Sequence, residues 1–319
     1  MSKIISINHC QKSHEKFFII SWNLGNICNY KCSYCPELLH AGDVSFPNKV
    51  LIISTLKYLK NQIPKDRKLY VEFTGGEVTL HPEFKAVISA LNTLDIKVGI
   101  ITNGSKPESF WKDIAPKLNH ICISYHHEFA REAHFSKVIN ILSEHTTTHV
   151  NIMAPKEGVE GAMKFLTNLS LNNENITIEL QPIILHEIET SRELDTYKDD
   201  DLRRLRDFKT PKINSTKDPF TTRGDMLVTH EDKSTKQYSA AQIITNKLNV
   251  FKGFNCFIGL ETLIIDYRGY VFRGKCNVGG PLGHITKRPL TIPTTPIVCN
   301  RNHCHCNFDL TVTKEMSEN

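Results

Sequence analysis

The chain has 319 residues, 40% of them hydrophobic and 23% charged, with 16 Gly and 14 Pro, a composition that excludes disorder, fibrous repeats and a marginal core. Its 39 Lys and Arg against 34 Asp and Glu leave a net charge of +5, which permits an anionic substrate but falls short of the dense basic face of a dedicated nucleic-acid binder. No apolar run approaches the roughly 18 residues that span a bilayer, and the opening MSKIISINHCQKSHEKFFII lacks the apolar core and cleavage site of a signal peptide, so a cytoplasmic location with no membrane partner is expected. Ten cysteines in a reducing compartment point to metal rather than to disulfides.

In chain order, short apolar and β-branched runs alternate with helical patterns. Strands are predicted at Phe17 to Leu24, Leu69 to Thr74, Ile96 to Thr102, His120 to Ser124, Thr148 to Met153 and Ile176 to Gln181. Helices are predicted at Asn48 to Asn61, Pro82 to Leu94, Pro107 to Leu118, Arg131 to His145 and Glu157 to Leu169. Six βα units make an α/β protein with a parallel sheet, and periodicity alone does not choose between an open doubly wound sheet and a partial barrel. Polar residues at the ends of separate strands, Asn103, Ser124, Asn151 and Gln181 among them, favour the barrel, where the carboxyl ends of the strands share one cavity. The pattern then weakens over 191–250, a variable connector in which Asp201 to Phe208 reads as an exposed helix with a solvated face. From Phe251 the chain changes character: LETLIIDYRGYVFRGKC is a hairpin signal turning at Tyr267 to Gly269, and five of the ten cysteines follow or flank it. The expected division is 14–190 barrel, 191–250 connector and 251–312 small cysteine-rich domain.

CNYKCSYC places Cys28, Cys32 and Cys35 in a C-x3-C-x2-C loop directly after the first strand, where three thiolates can grip one metal centre. Zinc held with a histidine such as His40 fits the spacing alone. The loop, with aromatic Tyr34 before its last cysteine, resembles that of the radical S-adenosylmethionine (SAM) superfamily. FTGGEVTL, with Gly75, Gly76 and Glu77 after the next strand, is the second matching feature; Val78 stands where family members often have proline.

The resemblance implies that Cys28, Cys32 and Cys35 hold a [4Fe-4S] cluster whose open iron binds SAM. It further implies that the Gly75-Gly76-Glu77 stretch meets the methionine amino group, and that Tyr34, Asn103, Ser124, Asn151 and Gln181 belong to the cofactor site. For Asn103 a helix-capping turn is an equal reading. The implied reaction is reductive cleavage of SAM to a 5'-deoxyadenosyl radical and hydrogen abstraction, with a flavodoxin- or ferredoxin-like protein as electron donor. YHHEF supplies His126, His127 and Glu128 near the expected cavity mouth as candidate proton-handling groups.

Cys256, Cys276, Cys299, Cys304 and Cys306 resemble the SPASM and twitch auxiliary-cluster extensions of that family. Five thiols suit one second, auxiliary [4Fe-4S] cluster better than the two clusters of a full seven-cysteine pattern, and a zinc knob using His303 or His305 is the competing reading. Cys122, inside an apolar strand, reads as a buried small hydrophobe. About seventeen residues precede the first strand, fewer than the roughly 40 below which domains rarely fold, so an attached leader-peptide recognition domain is not expected. The favoured substrate is a small polar metabolite such as a sugar or nucleotide. A peptide maturase and an RNA modifier are the alternatives within the family, and a zinc-stabilised nucleic-acid-binding module is the alternative outside it.

Overall fold

A computed structural model describes residues 3–169, 176–183, 197–207 and 224–316. Its elements run β1 (Ile4–His9), α1 (Lys12–Glu15), β2 (Phe17–Asn23), α2 (Lys49–Lys60), β3 (Lys68–Thr74), α3 (Phe84–Thr93), β4 (Lys97–Thr102), α4 (Glu108–Ile114), β5 (His120–Tyr125), α5 (Glu132–Ser143), β6 (Thr147–Ala154), α6 (Val159–Asn168) and β7 (Ile176–Pro182). After these come α7 (Asp199–Asp207), β8 (Met226–His230), β9 (Thr235–Tyr238), α8 (Ala240–Thr245), β10 (Phe254–Cys256), β11 (Thr262–Ile265), β12 (Tyr270–Phe272), β13 (Pro281–His284), β14 (Ile297–Val298), α9 (Asn307–Leu310) and β15 (Lys314–Met316).

The main sheet has nine strands in the order β13-β12-β11-β2-β3-β4-β5-β6-β7. Strands β2 to β7 pair in parallel, each crossover from β2 to β7 carries a helix, and the sheet does not close: it is a partial barrel. All six predicted strands and four of the five predicted helices form within about two residues of their expected ends; the helix expected at Pro107 to Leu118 runs as α4 only to Ile114 and continues as a 3-10 turn over Ala115–Lys117, with Pro116 inside it. Alternation explains why. One strand face carries Phe18, Ile20, Val71, Phe73, Val98, Ile100, Ile121, Ile123, Val150 and Ile152, all buried in the core formed with the helices. Each such side chain contributes about 1.5–3 kcal/mol on burial. The opposite face, toward the barrel interior, is mixed, with Ser21, Glu72, Cys122, His149, Asn151 and Glu179 beside Ile19, Tyr70 and Ile101.

The hairpin β11–β12 joins this sheet by pairing β11 in parallel with β2, Leu263 opposite Ile20 and Ile265 opposite Trp22. That places the hairpin against the strand leading into the cysteine loop, a long-range pairing absent from the sequence reading. A second sheet, β14-β10-β15-β1-β8-β9, gathers the chain start, the C-terminal segment and part of 191–250 around Ile7, Met226, Val228, Ile243, Phe251 and Leu310. Its strands β1, β8 and β9 and helix α8 are unpredicted; they are short and find their partners far along the chain. His9 Nε2 meets Glu261 Oε2 at 3.0 Å, an almost buried pair that ties β1 to the lead-in of β11 and so joins the two sheets. The exposed helix expected at Asp201 to Phe208 forms as α7, its last predicted residue lying outside the described ones. Among the described residues no helix is long and apolar enough to cross a membrane.

Candidate active site

At the carboxyl ends of the barrel strands lies a cavity of about 450 Å³. Cys28, Cys32 and Cys35 line one side of it, and Gly75, Gly76, Asn103 and Ser124 line the strand-end side. The far wall comes from the hairpin: Ile264, Ile265, Asp266 and Lys275. Sequence reasoning missed that wall, since nothing local announces that β11 lies beside β2.

The cysteine loop is shaped by its own backbone. Cys35 N–H donates to the Cys32 carbonyl at 3.0 Å, and Tyr30 N–H points at Cys28 Sγ at 3.4 Å. Burial pushes all three thiols up, Cys32 to about 12, so the chain alone carries them protonated and a metal that takes them as thiolates must displace their protons. Three cysteine sulfurs lining a cavity far larger than one ion have the donor chemistry of a cluster. Among the described residues no three Cys, His, Asp or Glu side chains converge on a point that a single ion could occupy.

Gly75 and Gly76 are required by close approach. Gly75 has φ of +130°, a Cβ there would strike the Gly25 carbonyl, and one on Gly76 would strike the Ile27 carbonyl. The stretch is instead zipped to the loop after β2, Gly76 N–H donating to Gly25 O at 2.9 Å and Glu77 N–H to Ile27 O at 2.8 Å. The two motifs therefore support each other through backbone.

Several expected site side chains point elsewhere. Glu77 is fully buried and does not line the cavity; its carboxylate accepts from Thr79 N–H (3.0 Å) and hydroxyl (2.5 Å), Thr102 hydroxyl (2.8 Å) and Asn103 N–H (2.7 Å). Burial pushes its carboxyl up while those donors pull it down. Glu77 is thus a post that fixes the end of β4, and Glu77→Ala is expected to cost about 3 kcal/mol or more by orphaning buried N–H groups, read as a lowered denaturation midpoint. Asn103 caps no helix, since α4 opens after Pro107; its Oδ1 accepts from Ser105 N–H at 3.0 Å in a local turn, its Nδ2 reaches Asn29 Oδ1 at 3.0 Å, and the residue lines the cavity.

Of the candidate proton-handling groups only His126 lines the cavity. Its Nδ1 sits 2.8 Å from the Tyr34 hydroxyl and 3.5 Å from Cys32 Sγ, and burial pushes the imidazole down to about 4, leaving it neutral. Glu128 is turned onto Ser33, accepting from its N–H at 2.8 Å and its hydroxyl at 2.5 Å, so it anchors the cysteine loop. His127 stacks on Tyr34 and packs against Gly158. Tyr34 does not line the cavity; its ring stacks on His126 and His127 and its hydroxyl meets His126 Nδ1. Asn151 and Gln181 lie off the cavity too: Gln181 Nε2 donates to Pro182 O at 3.3 Å, and Asn151 Nδ2 donates to Cys122 Sγ at 3.1 Å. Cys122 is buried, as expected of a small apolar residue, but on the inner face of the barrel, where burial first and then Glu72 and Glu179 push its thiol up.

In the C-terminal segment, Cys256, Cys276, Cys299 and Cys304 line one small pocket with Lys314 and Asp309; Cys306 stands outside its lining. Burial pushes Cys256, Cys276, Cys304 and Cys306 up, Cys304 to about 12. The main chain holds all four lining cysteines in place. Cys276 N–H donates to Asp309 at 2.7 Å, Cys299 N–H to Phe254 O at 2.8 Å, Cys304 N–H to Asn249 O at 2.8 Å, and Cys256 lies on β10 paired with β14 and β15.

Residues 22–150 match the family profile described as Radical SAM superfamily. The chain is similar to a GTP 3',8-cyclase of Vibrio parahaemolyticus, 26% identical over 141 residues covering 40% of this chain and 42% of that protein. It is also similar to an Fe-coproporphyrin III synthase of Methanosarcina barkeri, 27% identical over 124 residues, 39% of this chain and 30% of that one. The match therefore spans less than half the length of either relative. Among solved structures, Streptococcus suis SuiB bound to S-adenosylmethionine superposes with a TM-score of 0.55 at 17% identity, over 88% of this chain and 66% of that chain. anSMEcpe with bound AdoMet gives 0.56 at 15% identity, over 85% and 78%. These likenesses carry the fold.

Proposed function

We propose that this chain, a radical SAM superfamily enzyme across residues 22–150, binds SAM in the strand-end cavity and abstracts a hydrogen atom from a small polar metabolite such as a sugar or nucleotide. The observation that carries the proposal is the meeting of Cys28, Cys32 and Cys35 with Gly75, Gly76, Asn103 and Ser124 around one cavity of about 450 Å³. Cys28, Cys32 and Cys35 would hold a [4Fe-4S] cluster there, and the chemistry it would supply when bound is one-electron reduction of the SAM sulfonium.

The chain's own residues do the rest. Glu128 and Tyr34 hold the cysteine loop in shape; the Gly75-Gly76 backbone leaves room for the methionine end of SAM; Ser124 offers a hydroxyl and Asn103 an amide to its polar groups. Asp266 and Lys275 give the opposite wall one acidic and one basic side chain, which suits a polar substrate over an apolar one. Strands β2 to β7 supply the cofactor side, the segment from Phe251 supplies the hairpin wall and the second thiol site, and β8, β9 and α8 from the expected connector pack into the second sheet.

The four lining C-terminal thiols have the donor chemistry of an auxiliary [4Fe-4S] cluster. Free space among them is about 20 Å³, so it is the donor set and not the volume that supports this reading. A flavodoxin- or ferredoxin-like protein is the expected electron donor.

The test is anaerobic reconstitution with iron and sulfide, chemical reduction, and chromatography for 5'-deoxyadenosine. Brown protein with about eight iron atoms per chain and steady release of that nucleoside supports the proposal. Colourless, zinc-loaded protein that releases none overturns it in favour of a zinc-stabilised binding module.

A further inference from the structure

Lys314, the first residue of β15, is 1% exposed and has no part in the chemistry described so far. Its Nζ donates to the main-chain carbonyls of Asp309 at 2.6 Å, Val312 at 2.9 Å and Leu310 at 3.4 Å, three acceptors for the three N–H groups of an ammonium. The Phe251 ring lies 5.2 Å away on another side. Carbonyl dipoles solvate this charge without neutralising it, and a buried ammonium left in that state is costly. Lys314 also lines the pocket of Cys256, Cys276, Cys299 and Cys304. The other charge in that lining besides Arg301 is Asp309, also 1% exposed, whose carboxylate is held by the N–H groups of Lys275 (3.0 Å) and Cys276 (2.7 Å). Each buried charge is fixed by backbone groups, and the thiols lie in the same lining.

We propose that Lys314 is the built-in counter-ion of the C-terminal metal–thiolate centre, a positioning residue that stabilises the centre's more negative, reduced state, with Asp309 opposing it from the Cys276 side. The inference rests on the reading that these thiols hold a cluster. When such a centre takes up one electron its negative charge grows by one, so a fixed cation nearby raises its reduction potential and a fixed anion lowers it.

The experiment uses the full chain with Cys28, Cys32 and Cys35 replaced by alanine, so that only the C-terminal centre remains, reconstituted with iron and sulfide and titrated potentiometrically under electron paramagnetic resonance. In that background Lys314→Met is expected to shift the one-electron equilibrium at least tenfold toward the oxidised state, a fall of about 59 mV. Lys314→Arg should retain most of the parent potential, and Asp309→Asn should move it upward. Shifts of one sign in both charge-removing variants, or none in either, overturn the counter-ion role. Should Lys314→Met fail to fold, Asp309→Asn decides, and no upward shift there overturns the proposal. If the triple-alanine chain takes up no iron at all, the cluster reading of the C-terminal thiols falls and takes this inference with it, whereas an iron centre insensitive to both variants removes the inference alone.

Discussion

Replacing any one of Cys28, Cys32 and Cys35 with alanine is expected to lower 5'-deoxyadenosine formation by at least about a thousandfold and to remove about four iron atoms per chain, while leaving the fold intact. All three sulfurs line the same cavity, and their loop supplies no spare thiol: among the described cysteines, the remaining seven lie on other elements. Two thiolates cannot keep a four-iron core in place against loss to solvent, so the effect is near all-or-none. The fold should survive because the loop's shape is secured elsewhere. Ser33 is tied to Glu128 by two hydrogen bonds, Asn26 Nδ2 donates to Leu38 O at 3.0 Å and Val44 N–H donates to Asn26 Oδ1 at 2.9 Å, none of which involves a cysteine sulfur. Circular dichroism unchanged alongside lost iron and lost product is the expected combination. Retention of nucleoside release by any single variant would sink the assignment of these thiols.

The barrel was legible because its signal is local. Each βα unit from β3 to α6 repeats the same change of period within about thirty residues, the first unit being longer because it carries the cysteine loop, and that loop and the glycine pair sit directly after strands, where the chain order itself delivers them to one end of the sheet. Glu77 was legible as a motif member but not as a buried post, since a sequence does not say which way a side chain turns at the end of a strand. His127 and Glu128 show the same limit: three consecutive polar residues at a strand end share a loop, yet only His126 lines the cavity. The hairpin wall was invisible for a different reason. β11 pairs with β2 across more than two hundred residues, so Asp266 and Lys275 reach the cavity through a contact that no local pattern encodes. Cys122 is buried as its apolar strand suggests, but alternation puts it on the other face: Ile121 and Ile123 belong to the helix-packed core, while the Cys122 sulfur accepts from Asn151 inside the barrel.

The C-terminal cysteines allow a sharper division than their spacing does. Cys256, Cys276, Cys299 and Cys304 line one pocket, Cys256 held in the β10 ladder and the other three through their own N–H groups by Asp309, Phe254 and Asn249, whereas Cys306 opens α9 outside the lining. Alanine at any of the first four is therefore expected to strip about four iron atoms from a chain that already lacks the barrel cluster, and Cys306→Ala is expected to keep them. The backbone at position 306 has its own task, since the Leu310 N–H donates to the Cys306 carbonyl at 2.9 Å in the turn of α9. Alanine preserves that bond, so retained iron would report on the side chain alone. Iron analysis and absorbance near 400 nm of the five single variants, prepared side by side, make the comparison. Loss of the centre in Cys306→Ala with survival in Cys299→Ala would reverse the assignment and move the fourth ligand to the start of α9. A preparation holding one zinc and no iron in the parent would replace the cluster by a tetrahedral site, and His303, which also lines the pocket, would then be the next residue to vary.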